Sequence, residues 1–537
     1  MTQRAREWLL LIGFCVFLFF YGLGQFGLIG ADEPRYAQVA REMLQRHDWI
    51  TPTLGGRAWL EKPPLYYWQA MVAYRIFGVR DWAARLPSAF DASLVVLGVY
   101  LFLRRLQPGF HLDAALMTAS VAGLVGFAHS ASTDMPLAAM FSLAMLAWYT
   151  WWETSQKRYL GCFYFFVGLA VLAKGPVAPF LAGVVIVLFA LAAKSKEMLL
   201  RTLWLPGVLL LCLVALPWYV AIQLRQPEFF RVFILEHNLA RFGSNLYHHE
   251  QPFWYYVPVA LLALVPWTVF VVAALYETVR AWWAERARLF ESDDALNVFL
   301  ALWLVVPILF FSLSHSKLPG YILPAVAAGP LLVAQYVARH TGDHGRSPVF
   351  LNTLHALIAA APLVPALNIA YLVLQHRLPW GRGTIVASAI ALALAVGIAV
   401  TLAGKLGLRL LYFVTLIPVV LTVAALIRIG SPVVDQTLSA RPVASQLAEM
   451  ELKPLPIAVL GATRETEFGL AFYRNQVVSR YEMQQVPTSE HLLVAPEGAR
   501  NAIVQFAGGR RVSFLGNFAP QGLDFYWVAG ETGASNN

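Results

Sequence analysis

The chain contains a long series of apolar segments, and this series restricts it to the folds of membrane proteins. A spanning helix needs about 17–25 largely apolar residues, and about thirteen segments approach that length. The predicted spans are 8–29, 86–104, 112–129, 133–152, 159–174, 176–193, 204–223, 255–276, 297–313, 321–338, 350–374, 384–402 and 408–428. Only 13% of the residues are charged, whereas soluble domains carry about 25%. The sequence therefore predicts an all-α polytopic membrane protein.

The first apolar segment and the short loops predict the orientation in the membrane. Segment 8–29 follows Arg4 and Arg6 and is longer than the roughly 7–15 apolar residues of a cleaved signal peptide. We therefore expect a retained anchor with a cytoplasmic N-terminus. Lys and Arg concentrate in the short loops on that same side, in agreement with the positive-inside rule. The long loops 30–85 and 224–254 are then predicted to face the outer side.

Two regions of the chain differ in composition. Residues 1–429 hold the apolar segments, and interfacial helices are predicted within 30–85 and 224–254. Residues 430–537 lack long apolar segments and alternate short strands with helices. The fragments PIAVLG at 456–461 and HLLVAP at 491–496 are predicted to be buried strands. We expect a small C-terminal α/β domain outside the membrane, and we identify no catalytic motif in it.

The stretch from residue 32 to residue 68 places several charges directly after an apolar segment, where charge is costly unless water or a ligand receives it. Asp32 precedes residues whose apolar members recur at helical spacing. Its carboxylate is a candidate general base or substrate contact, and alternatively a helix N-cap. Arg35 and Tyr36 lie nearly on the same helix face as Asp32. This face suits a sugar phosphate, although an ordinary intrahelical ion pair would also explain Asp32 and Arg35.

Two further charged residues stand directly before a pair of prolines. Glu61 and Lys62 precede Pro63 and Pro64, which fix an extended backbone and present the charged pair rigidly. Lys62 is a candidate ligand for a phosphate group. The alternative is that Lys62 snorkels to the lipid headgroups.

Other ionisable or phenolic residues lie at the outer ends of predicted helices. They are Asp134, Lys174, Glu236, His237, Arg241, Lys317 and Tyr321. Several have a structural alternative, because an acid at a helix start or a base at a helix end stabilises the helix dipole. A transporter would instead carry ionisable residues near the middle of its spans. The pattern therefore predicts a cavity at the membrane surface for a lipid-linked anionic substrate.

Six motifs occur in order along the membrane region: ADEPRYAQVAREML, EKPPLYYW, LAKGP, LEHNLARF, QPFWYYVPV and SKLPGYILP. Together they resemble the 4-amino-4-deoxy-L-arabinose transferase (ArnT) family, part of a wider group of GT-C membrane glycosyltransferases that includes protein O-mannosyltransferase-like enzymes. The resemblance implies a GT-C-like fold, a bacterial inner-membrane location, and an active site and C-terminal domain that face the periplasm. It also implies a sugar donor carried on undecaprenyl phosphate and inversion at the anomeric carbon.

The resemblance further implies roles for individual residues. The predicted catalytic pair, near the acceptor nucleophile, is Asp32 and Asp134. The predicted ligands of the donor phosphate, which would stabilise the charge of the leaving group, are Lys62, Arg241 and Lys174. The predicted substrate-orienting residues are Arg35, Tyr36, Lys317 and Tyr321. Glu61 with His237 resembles a metal position of the family, but two ligands do not define a zinc site, so a divalent metal is an open prediction and no other cofactor is expected.

The predicted function is transfer of aminoarabinose from undecaprenyl phosphate to a lipid A phosphate, a step of lipopolysaccharide modification. The enzymatic alternative is transfer of a different sugar to protein Ser or Thr, or to another envelope glycan. The non-enzymatic alternatives are a polytopic lipid flippase or transporter and a membrane scaffold. The net charge of +9 is explained by cytoplasmic loops and an anionic ligand. The expected partners are the membrane, the lipid-linked donor and a lipid or glycan acceptor, with no nucleic acid.

Overall fold

The computed structural model describes residues 2–233, 251–285, 294–341, 348–368, 380–404, 407–483 and 486–531. The chain is a multi-pass membrane protein with a small C-terminal domain built around a β-sheet, as predicted. Among the described residues, seven helices are long and apolar enough to cross a membrane, or up to nine if each bent pair is one span. The number of spans stays a prediction.

The helices of the membrane region mostly follow the predicted apolar segments. They are Gln3–Cys15 with a π-helical turn Val16–Phe20, Asp32–Gln45, Leu65–Phe77, Asp81–Leu106, His111–Ala119, Ala122–Ala128, Asp134–Thr154, Lys157–Lys174, Val177–Ala192, Lys196–Thr202, Leu205–Arg225, Tyr256–Ala263, Thr268–Glu285, Ala295–Ser312, Leu323–Val326, Ala328–His340, Val349–Ala360, Trp380–Ala403, Leu411–Ala425 and Ser431–Leu438. Short 3-10 or π turns extend several of them.

Two of the predicted spans are broken helices. His111–Ala119 and Ala122–Ala128 are inclined to each other by 58°, and Phe253–Ala263 and Thr268–Ala284 by 116°. The length and composition of an apolar segment do not predict such bends, because neither property depends on the direction of the backbone.

One boundary of the predicted spans differs in the structure and another agrees. The first helix ends at Phe20 instead of residue 29, because the following YGLGQFG sequence is rich in glycine, which disfavours helix. The predicted spans 159–174 and 176–193 leave only residue 175 between them. The structure agrees: Lys157–Lys174 and Val177–Ala192 are separated by Gly175 and Pro176, and the φ of 89° at Gly175 favours glycine.

Two amphipathic helices follow the first membrane helix, as predicted, and pack against each other. They are Asp32–Gln45 and Leu65–Phe77, and a cluster of buried tyrosines joins them. The ring centres of Tyr36 on the first helix and Tyr66 on the second lie 6.2 Å apart. The Tyr66 hydroxyl donates to the carbonyl of Ala84, 2.9 Å away, on the next membrane helix. This packing fixes the start of Asp32–Gln45 relative to the membrane helices.

The last membrane helix continues into the C-terminal domain. It runs from Gly407 to Leu438, past residue 430, where the composition of the chain changes. A short hairpin of β1 and β2 lies in the first loop, and the C-terminal domain has a five-stranded sheet of order β4-β3-β5-β7-β6. The strands are β1 Thr53–Leu54, β2 Arg57–Ala58, β3 Ile457–Val459, β4 Ser479–Arg480, β5 His491–Pro496, β6 Val512–Phe518 and β7 Leu523–Val528.

The sheet of the C-terminal domain is mixed. Strands β3, β4 and β5 are parallel, whereas β7 is antiparallel to both of its neighbours. Both strands predicted from sequence, β3 and β5, are confirmed. The helices of the domain are Ala440–Glu449, Arg464–Arg474 and Arg500–Phe506.

Polar contacts attach the C-terminal domain to the membrane region. Arg441 forms an ion pair of 2.9 Å with Asp81 at the start of a membrane helix. Arg41 of the amphipathic helix donates to the carbonyl of Phe472, 2.6 Å away. The domain is therefore held against the helix that begins at Asp32.

Candidate functional site

A cavity lies where the amphipathic helices, the ends of several membrane helices and the C-terminal domain meet. Its volume is about 1030 Å³, at the upper end of the roughly 300–1,000 Å³ usual for ligand sites. The predicted site residues that line it are Asp32, Arg35, Tyr36, Glu61, Lys62, Asp134, Lys174 and Tyr321. The last membrane helix adds the apolar residues Val423, Leu426 and Ile427. Charged and apolar walls in one cavity suit an amphiphilic ligand.

Asp32 faces this cavity from the first turn of its helix. Ala31 is the N-cap and provides no side-chain hydrogen bond, so the alternative prediction that Asp32 is the N-cap is wrong. The Asp32 carboxylate accepts a hydrogen bond from the guanidinium of Arg35, and 51% of its side chain remains exposed. The carboxylate is thus oriented by a neighbour and accessible from the cavity.

Arg35 and Tyr36 are more deeply buried than Asp32. Burial, and secondarily the charge of Asp32, raises the pKa of the Tyr36 phenol well above its ordinary value of 10.0, so the hydroxyl stays protonated near neutral pH. The Arg35 guanidinium lies 5.0 Å from the centre of the Trp59 ring. Its Nε is buried with no hydrogen-bond partner among the described residues. This side of the cavity therefore holds a protonated hydroxyl and a guanidinium whose Nε makes no hydrogen bond among the described residues.

Asp134 and Lys174 form an ion pair inside the cavity. They stand at the start of one membrane helix and the end of the next, and the Lys174 ammonium also lies 4.3 Å from the centre of the Tyr321 ring. A Cβ on Gly320 would lie 2.5 Å from a carboxylate oxygen of Asp134, so the close approach of these segments requires glycine. Because Asp134 balances the charge of Lys174, a donor phosphate would have to share or replace this pairing.

Glu61 and Lys62 reach the cavity from the segment that precedes helix Leu65–Phe77. Their predicted partners His237 and Arg241 lie outside the described residues. Within the part of the chain that the structure describes, no group of three or more His, Cys, Asp or Glu residues is arranged to hold a metal ion. The metal position and the phosphate site at Lys62 therefore stay predictions.

Lys317 differs from the other described residues predicted for the site, because it does not line the cavity. Its ammonium donates to the carbonyl of Gln251, 3.1 Å away, and to that of Ser314, and only 6% of the residue is exposed. Burial lowers the pKa of Lys317. In this arrangement the Lys317 ammonium makes its hydrogen bonds within the protein and does not reach the cavity. The substrate-orienting role of Lys317 stays a prediction.

A buried ion pair that the sequence did not predict supports the cavity. Arg85 is fully buried and donates to Glu33 over 2.6 Å. It also donates, over 2.8 Å each, to the backbone carbonyls of Leu23, Phe26 and Gly27. The other oxygen of Glu33 accepts from the amide of Ala131 at 2.9 Å. These contacts join the segments that carry Asp32 and Asp134, so they set the positions of both acids.

The C-terminal domain also contributes residues that the sequence did not predict, namely Thr463, Arg464 and Glu465. They follow β3 and begin helix Arg464–Arg474, with Thr463 as the N-cap. The available signal was the predicted strand followed by a capping residue, because open α/β sheets bind ligands at the carboxyl ends of their strands. A strand followed by a capping residue is common in α/β domains and does not identify a substrate.

Known proteins with similar sequences link this geometry to a family. A profile described as dolichyl-phosphate-mannose-protein mannosyltransferase matches residues 61–220. An undecaprenyl phosphate-alpha-4-amino-4-deoxy-L-arabinose arabinosyl transferase of Pseudomonas aeruginosa is 36% identical over 344 residues, which are 62% of this chain and 60% of that protein. The protein of the same name from Pseudomonas paraeruginosa is 34% identical over 377 residues, 67% of this chain and 66% of that protein. The chain thus matches less than two thirds of the length of these curated relatives.

The likeness in fold extends over nearly the whole chain. The crystal structure of ArnT from Cupriavidus metallidurans bound to undecaprenyl phosphate matches with a TM-score of 0.75 at 22% identity, and the match covers 97% of both chains. This chain is similar to ArnT proteins in sequence and in fold. The resemblance predicted from the six motifs is confirmed, and the ArnT-like fold includes the C-terminal region, where the sequence offered only an expected architecture.

Proposed function

We propose that this ArnT-like protein is an integral-membrane glycosyltransferase. It transfers a sugar from an undecaprenyl phosphate donor to an envelope acceptor at the periplasmic face of a bacterial inner membrane. The sugar is aminoarabinose and the acceptor is a lipid A phosphate. The names of the Pseudomonas relatives support the donor and the sugar, and the likeness to ArnT supports the fold required.

One observation carries the proposal: a single cavity joins the predicted acids and bases to an apolar wall. A sugar on a polyprenyl phosphate has an apolar tail, an anionic phosphate and a hydroxylated ring, and these parts match the apolar, cationic and hydrogen-bonding walls. A flippase would need ionisable groups along a path through the membrane. Eight of the predicted site residues instead line one cavity beside the helix that begins at Asp32, which supports group transfer over transport.

The reaction forms a bond between an acceptor oxygen and the anomeric carbon of the sugar. The bond between that carbon and the donor phosphate oxygen breaks, and the electron pair leaves with the undecaprenyl phosphate. Lys62 stabilises the charge that develops on this leaving group. Because phosphate monoesters have a second pKa near 6, part of the acceptor still carries a proton near neutral pH. Asp32 accepts that proton as the acceptor oxygen attacks.

The proposal is tested in a bacterial strain from which the gene for this protein has been deleted and which still produces the aminoarabinose donor. The wild-type chain is expected to restore aminoarabinose to lipid A, as measured by mass spectrometry, whereas Asp32→Asn and Lys62→Ala are not. Lys453→Ala is the control, because Lys453 is 72% exposed by side chain and pairs with Glu490 away from the cavity. Unmodified lipid A in the strain with the wild-type chain would contradict the proposed sugar or acceptor. Sugar transfer by both purified site variants at the wild-type rate would contradict the site.

A further inference from the structure

The C-terminal domain forms one side of the cavity and brings a cation to it. Arg464 follows β3, begins the helix Arg464–Arg474 and lines the cavity together with Thr463 and Glu465. Its side chain is exposed to the cavity. The membrane region therefore supplies one part of the charged wall, and a separate domain supplies another.

The charge of Arg464 is not balanced in the way that other cations of the cavity are. Arg35 pairs with Asp32, and Lys174 pairs with Asp134. By contrast, no carboxylate within the described ranges lies at ion-pair distance from Arg464. A cation at a helix N-terminus is also opposed by the helix dipole. Neither an ion pair nor helix stability explains an arginine at this position, whereas an anionic ligand would.

Arg464 lies on the same side of the cavity as Arg35 and Asp32. The ring of Phe468 connects them: the guanidinium of Arg464 is 5.6 Å from its centre and that of Arg35 is 5.7 Å. Arg35 is 8% exposed, and its Nε has no hydrogen-bond partner among the described residues. Two guanidinium groups beside one ring, one of them with an unused buried donor, form a site suited to an anion.

We propose that Arg464, with Arg35, binds the anionic group of the acceptor, so that the C-terminal domain is part of the acceptor site. The ligand is a phosphate monoester, whose oxygens match the planar fork of arginine. The inference rests on the proposed function, in which Lys62 binds the donor phosphate. Asp32 is the proposed base for the acceptor oxygen, so an anion site beside Asp32 fits the acceptor.

The test measures sugar transfer by the full chain in lipid nanodiscs. The acceptor concentration is varied at a saturating donor concentration, and the donor concentration is then varied at a saturating acceptor concentration. Arg464→Gln is expected to raise the KM for phosphorylated lipid A about tenfold or more, because hydrogen bonds to charged groups are worth about that ratio. The KM for the donor is expected to stay unchanged. Arg464→Lys keeps the charge and should restore part of the affinity. Arg500→Gln is the matched control, since Arg500 is exposed and begins another helix of the same domain without lining the cavity.

The outcomes separate the inference from the proposed function. A selective rise in the acceptor KM, partly reversed in Arg464→Lys and absent in Arg500→Gln, supports the inference. An unchanged acceptor KM, or a rise confined to the donor KM, overturns it while the proposed function stands. A wild-type chain that transfers no sugar overturns the proposed function instead. Thermal melting of each variant identifies any loss of folded protein, and Arg464→Lys keeps the test valid if Arg464→Gln does not fold.

Discussion

Two neighbouring acids at the start of one helix have opposite surroundings. Glu33 is 5% exposed, and its oxygens accept from Arg85 and from two backbone amides. The side chain of Asp32 is 51% exposed and pairs with Arg35. Successive residues of a helix point about 100° apart, so one acid faces the protein and the next faces the cavity. We therefore expect Glu33 to contribute to stability and Asp32 to the proposed chemistry, although both are acids in the same first turn.

The largest effect is expected from breaking the buried pair. Arg85→Gln leaves the Glu33 carboxylate buried without its cation, which costs about 3–5 kcal/mol of stability. Thermal melting of the purified chain in detergent measures this loss. Arg201→Gln is the control: it breaks an exposed pair with Glu197, in which both side chains are more than half exposed, and such pairs contribute at most about 1 kcal/mol. If Arg85→Gln is as stable as the wild type, the pair Arg85–Glu33 has no structural role.

Substitution of Asp32, the acid that faces the cavity, is expected to lower activity and leave stability unchanged. Asp32→Asn should lower the kcat of sugar transfer about 100-fold at a pH below about 6, where the acceptor phosphate carries its second proton and needs a general base. Its melting temperature should stay close to that of the wild type, because the Asp32 side chain is half exposed. Steady-state kinetics and thermal melting on the same preparations check both parts. The comparison fails if Asp32→Asn and Glu33→Gln lose stability equally.

The pair Asp134–Lys174 is intermediate in burial, with side chains 18% and 14% exposed. Asp134→Asn leaves Lys174 without its carboxylate and is expected to destabilise the fold by about 1–3 kcal/mol. Adding Lys174→Met should recover part of that loss, because no charge is then left unpaired. A double-mutant cycle by thermal melting measures the coupling. Additive losses would show that the two side chains do not interact in the folded protein.

The smallest effect concerns a buried histidine in the C-terminal domain. His491 donates through Nδ1 to the carbonyl of Ser489, 2.8 Å away, and accepts from the hydroxyl of Tyr481. Burial lowers the pKa of His491 below its ordinary value of 6.5 and raises the pKa of Tyr481 to about 12. The folded domain therefore keeps His491 neutral, while the unfolded chain binds a proton as the pH falls below about 6.5.

This difference predicts a domain that loses stability on acidification. The contribution of His491 is complete above its unfolded pKa and falls by at most about 1.4 kcal/mol per pH unit below it. Hydrogen exchange of strand β5 in the full chain, compared at pH 7.5 and pH 5.5 after correction for intrinsic rates, measures the change. His491→Gln should flatten the pH dependence without changing sugar transfer at neutral pH. If the exchange of β5 in His491→Gln depends on pH as it does in the wild type, another group causes the loss of stability.

Local patterns in the sequence predicted much of the fold and of the site. The amphipathic helix that begins at Asp32 and strands β3 and β5 follow from periodicity, and eight predicted residues line the cavity. Arg85 was missed because a lone arginine near the start of an apolar segment does not reveal a buried partner on another helix. Arg464 was missed because its position in the cavity depends on how the domain docks, through contacts such as Arg441–Asp81. Those contacts join residues hundreds of positions apart, and no local pattern records them.

The continuous helix from Gly407 to Leu438 sets a height above the bilayer. Its 32 residues span about 48 Å at about 1.5 Å per residue, whereas the hydrocarbon core is about 30 Å thick. The helix is thus longer than the hydrocarbon core is thick, and it leads directly into the C-terminal domain that carries Arg464. A thinner or thicker bilayer is therefore expected to change the depth of Arg464 relative to the headgroups.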